Sequence, residues 1–120
     1  MGSQISTIVI DASDVERLGA FWASVLGWEA HRDPDGDVVL ADPDHRSSFV
    51  VLVIHVPEAK TVKNRLHIDL NPAGADQDEE LERLLGLGAV KVDIGQGDAR
   101  WVVLADPEGN EFCLLDQRVD

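Results

Sequence analysis

Val38-Val39-Leu40-Ala41-Asp42-Pro43-Asp44 returns as Val102-Val103-Leu104-Ala105-Asp106-Pro107-Glu108, 64 residues further on. Six identities in a row, then Asp against Glu, are too many for chance in a chain of 120 residues. Self-similarity over so long an offset points to two copies of one supersecondary unit. Each copy reads as an apolar β-branched strand running into an Asp-Pro turn.

The flanks repeat as well. Before the first copy, residues 6–11 are β-branched and partly alternating, which predicts a strand. Ser13 with Glu16 predicts a capping box. Val15, Leu18, Trp22, Val25 and Leu26 keep helical spacing, and Gly27 stands where a helix ends on a left-handed residue. Strands are predicted over 28–32, 37–41 and 49–56, with a turn at Asp33-Pro34-Asp35-Gly36. The second half predicts strands over 65–71, 89–94, 100–105 and 111–116. Its helix starts at Asp76, carries the i, i+4 pair Glu79 and Arg83, and ends at Gly86 or Gly88. The expected organisation is an α+β fold in one domain, made of two tandem βαβββ modules. Module one covers 5–56, a linker 57–64, and module two 65–116.

Charge narrows the function. Ten Lys and Arg against 23 Asp and Glu give a formal net charge of −13. The acids are spread over both halves. Such a surface repels nucleic acid and anionic membrane, so neither is expected as a partner. The basic cluster Lys60, Lys63 and Arg65 reads as a solvated linker or as the edge of an anion-attracting site. Cys113 is the sole cysteine, which fits a reducing compartment. The N-terminal residues show no basic stretch followed by an apolar one. The longest apolar run, 49–54, is too short to span a bilayer. These features lead to the expectation of a cytoplasmic protein.

Three stretches sharpen the reading: Phe21-Trp22 ahead of Val25-Leu26-Gly27-Trp28; Lys60-Thr61-Val62-Lys63-Asn64-Arg65-Leu66-His67-Ile68-Asp69-Leu70; and Asp106-Pro107-Glu108-Gly109-Asn110-Glu111-Phe112-Cys113. In this order, with the internal repeat, the chain resembles the vicinal oxygen chelate superfamily. That group holds glyoxalase I, extradiol dioxygenases, and fosfomycin- and bleomycin-resistance proteins. The likeness is greatest to small actinobacterial glyoxalase-like proteins. The resemblance implies a cup-shaped mixed sheet with helices outside and a small-molecule site within. It also implies metal ligands, where a member has them, on the first and fourth strands of each module.

Residue by residue, that carry-over is incomplete. His67 takes one ligand position. Thr7 stands at its counterpart in module one, and Cys113 where a glutamate is usual. The strand over 49–56 offers only His55. A transition metal needs about three well-placed protein donors, so no metal site and no cofactor is expected; a divalent metal is the minority alternative. Thr7, His67, Asp69, Trp101 and Cys113 are the candidate ligand-binding residues, with His67 and Asp69 as polar handles in a Trp-lined cup. His67 and Glu111 are the candidate catalytic pair. The leading expectation is a protein that encloses a small organic ligand as a homodimer. A metal-dependent lyase, isomerase or dioxygenase that borrows a ligand from a dimer partner is the alternative. A ligand-free interaction module is a third reading.

Overall fold

The computed structural model describes residues 1–120. The chain divides into two compact units, Met1–Ala59 and Lys60–Asp120.

The first unit runs β1 (Thr7–Ala12), α1 (Val15–Leu26), β2 (Glu29–Arg32), β3 (Val38–Ala41) and β4 (Val50–His55). Its sheet has the order β1-β4-β3-β2. β1 pairs parallel to β4, from Thr7 opposite Val50 to Ala12 opposite His55, and the other pairs are antiparallel. Strand side chains alternate between faces. Val38, Leu40, Val51 and Val53 are therefore buried on one side, the side that takes α1. Leu18, Phe21, Trp22 and Val25 form the matching stripe of α1 and are buried. The helix lies so close that a Cβ on Gly19 would stand 2.7 Å from Val38 Cγ1. A larger residue there would force the Val38 side chain to shift.

The second unit repeats the order: β5 (Ile68–Leu70), α2 (Gln77–Leu87), β6 (Val90–Lys91), β7 (Val102–Ala105) and β8 (Glu111–Leu114). Its sheet order is β5-β8-β7-β6, again with one parallel pair, β5 to β8. The strands thus hydrogen-bond as two four-stranded mixed sheets, each with its own helix. Phe112, Leu114, Leu104 and Leu84 are fully enclosed. α2 is tied to β8 by Gln77, whose Nε2 donates to the Leu114 carbonyl at 3.2 Å.

Several local expectations change. The N-cap of α1 is Asp14, not Ser13; its carboxylate accepts from the Arg17 N–H at 3.1 Å. Asp14 has the same three-residue reach as a serine and adds a negative charge at the positive end of the helix. Arg83 pairs with Glu80 at 2.7 Å, an i, i+3 contact. The strands of the second unit are shorter than expected. In particular, β5 begins at Ile68, so His67 lies just ahead of it and not within it. Gly27 does end α1 in the left-handed region, with φ 69°, and Asp76 does cap α2.

Candidate functional site

One face of the second unit's sheet carries Ile68, Leu70, Leu104, Phe112 and Leu114, with Lys91 beside Leu104 on the edge strand. The opposite face is mixed. Asp69 lies directly opposite Cys113, which lies opposite Val103. One rung along, Glu111 is opposite Ala105. Trp101 precedes β7 on the same parity as Val103 and is 45% exposed.

Cys113 is only 8% exposed. Burial pushes its thiol pKa up, and the Asp69 carboxylate raises it further through its charge and a hydrogen bond from the thiol; Lys63 opposes both with a smaller effect. The raised pKa makes Cys113 a less ready nucleophile in the ligand-free chain, and its thiol is a donor toward the Asp69 carboxylate.

The segment ahead of β5 forms a strap. Lys60 Nζ donates to Glu111 Oε2 at 3.0 Å, and the Asn64 N–H donates to Glu111 Oε1 at 3.0 Å. The ion pair is well enclosed, with 19% of the Lys60 and 14% of the Glu111 side chain exposed. Burial pushes the Glu111 carboxyl upward, but the Asn64 N–H and the Lys60 ammonium outweigh it and hold it below the usual glutamate value. Farther along the strap, Lys63 Nζ is 2.9 Å from His67 Nε2, and the same nitrogen is 3.1 Å from the Asn64 carbonyl. The two contacts ask opposite roles of Nε2: the Lys63 ammonium can only donate and the Asn64 carbonyl can only accept, so the uncharged ring satisfies one or the other according to its tautomer.

The sequence-derived candidates therefore fall into groups. Asp69 and Cys113 are in direct contact. His67 is paired with Lys63, and Glu111 is occupied by Lys60 and Asn64. Trp101 shares their sheet face by strand parity. Thr7 belongs to the first unit, where its Oγ1 is 3.1 Å from Ser6 Oγ. His55 has the parity of Val51 and Val53 and so lies on the opposite face from Thr7. The reading of the 57–64 stretch as a free solvated linker fails for Lys60, which is anchored in the second unit. Asn64 was not legible as a site residue, because its partner Glu111 lies 47 residues away and nothing near Asn64 announces it.

At the positions that the superfamily resemblance assigns to ligands, Thr7 carries a neutral hydroxyl and Cys113 a buried thiol with a raised pKa. One trio of acidic donors lies within 4.8 Å of one another, Asp33, Asp35 and Asp37, on the β2–β3 turn. There the Asp33 carboxylate accepts from the Asp35 and Asp37 N–H groups.

The sequence model of the glyoxalase-like domain matches residues 7–115. The chain belongs to the glyoxalase-like domain family. The fold is also that of the fosfomycin resistance protein FosX from Mesorhizobium loti, with a TM-score of 0.72 at 19% identity over 96% of this chain and 92% of that one. The FosX of Listeria monocytogenes, complexed with Mn(II) and sulfate, gives 0.71 at 18% identity over 98% and 92%. The oxidase ChaP-H2 gives 0.64 at 16% identity over 98% and 95%. No curated protein matches the sequence. The match to the glyoxalase-like family model places the chain in the vicinal oxygen chelate superfamily, and the FosX structures share its fold. No helix of this glyoxalase-like protein is long and apolar enough to cross a membrane.

Proposed function

We propose that this glyoxalase-like protein binds a small organic ligand on the mixed face of its second sheet, without a resident metal. The observation that supports this most is the Asp69–Cys113 pair. A carboxylate that is itself exposed is oriented by a buried thiol on a sheet face that also carries Val103 and Trp101. Binding sites combine apolar wall with a few fixed polar groups in this way. Asp69 supplies an acceptor, the His67 ring a donor or an acceptor according to its tautomer, and Trp101 a flat apolar wall. Thr7 is a separate candidate handle, on the sheet of the first unit. A cytoplasmic homodimer is part of the same proposal: each sheet has edge strands, and edges are normally covered.

The metal-dependent alternative draws on the Mn(II) complexed by the Listeria FosX. The two readings part in one experiment. Tryptophan fluorescence is titrated with a panel of aromatic compounds, alongside native mass spectrometry of freshly purified protein. At least one compound should quench, the quenching should disappear in Trp101→Phe, and Asp69→Ala should weaken binding about tenfold, the value of one lost charged hydrogen bond. A flat response to every compound overturns the proposal and favours an interaction module. Near-stoichiometric manganese, zinc or iron that is lost in His67→Ala favours the enzyme.

A further inference from the structure

The three contacts at the strap differ in kind. Lys63 with His67 is exposed and spans four residues. Lys60 and Asn64 with Glu111 are enclosed and span 51 and 47 residues. An exposed lysine–histidine contact has no means of holding a chain segment in place. Its two members are long or rotatable side chains in water, and surface contacts of this kind add little. Position must come from elsewhere. Between Lys60 and Ile68 the strap has no strand pairing, and Val62 and Leu66 point to solvent, with Leu66 90% exposed. Apolar packing of those two residues therefore does not hold it either. What ties its middle to the sheet is the first residue of β8.

We infer that Glu111 is a positioning residue: its carboxylate clamps the Lys60–Asn64 strap to the sheet, and thereby sets where Lys63 and His67 stand. Each oxygen has one task. Oε2 takes the ammonium of Lys60, and Oε1 takes the backbone N–H of Asn64. The Asn64 carbonyl, on the same residue, is in turn 3.1 Å from His67 Nε2. The clamp reaches the imidazole through one residue of backbone. Glu111 therefore acts through Asn64, and it is not the acid or base of a reaction at this site. The clamp also accounts for the short β5. The backbone at 64–67 follows the carboxylate and does not extend the parallel ladder past Ile68.

The functional weight of the clamp rests on the ligand-site proposal, but its geometry does not, and the test is made on ligand-free protein. Amide exchange at Asn64 and the ring nitrogen chemical shifts of His67 are recorded by NMR in wild type, Glu111→Ala, Lys60→Met and the double variant. In Glu111→Ala, exchange at Asn64 should rise at least tenfold and the His67 ring nitrogens should shift, while Val103 and Phe112 amides keep their protection. Lys60→Met should move the same His67 signals in the same direction, and the double variant should go no further than Glu111→Ala. A stability role alone would raise exchange throughout the sheet and leave the His67 ring unmoved. Unchanged Asn64 exchange with unchanged His67 shifts overturns the clamp. If Glu111→Ala does not fold, Lys60→Met carries the same criteria. A flat fluorescence response of the wild type to every aromatic compound would count against the ligand site and not against the clamp.

Discussion

The two copies of the Val-Val-Leu-Ala-Asp-Pro stretch build the same turn and use it differently. In both, an aspartate side chain organises the backbone that follows it. Asp42 accepts from the N–H groups of Asp44 and Arg46. Asp106 accepts from those of Glu108 and Asn110, and from the Asn110 side chain as well. In both, a backbone bond closes the turn, His45 N–H to the Asp42 carbonyl and Gly109 N–H to that of Asp106. His45 and Gly109 hold the same place, and both have positive φ, 55° and 88°. The difference lies in burial. Asp106 is 4% exposed, whereas the first turn lies at the surface and is followed by three more residues before its strand starts. The strands that follow differ too. β4 opens on Val50 and β8 on Glu111. In the first unit, β1 continues alongside β4 for six residues; in the second, the parallel pairing covers three. One local sequence therefore specifies a turn, and its surroundings decide whether that turn is a core element or a loop.

The sharpest way to break this comparison is to remove the two aspartates in turn. Asp106→Ala leaves the part-buried N–H donors of Glu108 and Asn110 without this acceptor and should cost about 3 kcal/mol. Asp42→Ala should cost clearly less, because water replaces the carboxylate at the surface. Urea denaturation measures both. Equal costs would mean that burial does not distinguish the copies.

Glu111→Gln should come next, at about 2 kcal/mol near neutral pH, for an enclosed ion pair that retains some contact with water. The carboxyl of Glu111 is held below its usual value in the folded state. Its contribution is therefore present above the ordinary glutamate pKa and is lost as the pH falls through the lowered one. Stability curves of wild type and Glu111→Gln against pH should run apart near neutrality and converge in acid. Curves that stay parallel down to the acid transition would show that the carboxylate charge is not involved. No partner of that kind exists at Val50.

The smallest effects concern the left-handed position, and they should have opposite signs. A Cβ at Gly109 meets nothing within 4 Å, so Gly109→Ala carries backbone strain alone and should cost about 1–2 kcal/mol. His45→Gly relieves strain and should gain up to about 1 kcal/mol. Thermal melts of the two variants that move the same way would show that the turns are not equivalent.

The fold was legible because its signals are local or repeated. The stripe of Leu18, Trp22 and Val25, the cap at Asp76, the glycine at 27 and the duplicated strand-turn each carry their own physics within a few residues. Of the candidate site, the sequence conveyed the strand parity that places Asp69, Cys113 and Glu111 on one face. What the residues around it could not convey was the use of Glu111. A glutamate two residues from Gly109 looks the same whether it meets a ligand or a lysine from 51 residues upstream. The start of β5 is a second case: the strand begins at Ile68 and not at 65, and no glycine or proline among residues 65–67 marks that boundary. The cap at Asp14 shows a smaller ambiguity: Ser13 and Asp14 are both competent, and register alone chooses between them.

The parallel pairs have a consequence for how the chain comes to its structure. Thr7 meets Val50, and Ile68 meets Phe112, so in each unit the first strand waits for nearly the whole unit to be made before it can pair. Contacts this far apart in sequence slow folding, because the intervening chain must be ordered before they form. The antiparallel pairs β2–β3 and β6–β7 carry no such delay. Pulse-labelled hydrogen exchange during refolding should protect the β3 and β4 amides that bond one another before the amides that link β1 to β4, and β7–β8 before β5–β8. Each unit would then close by docking its earliest-synthesised strand last.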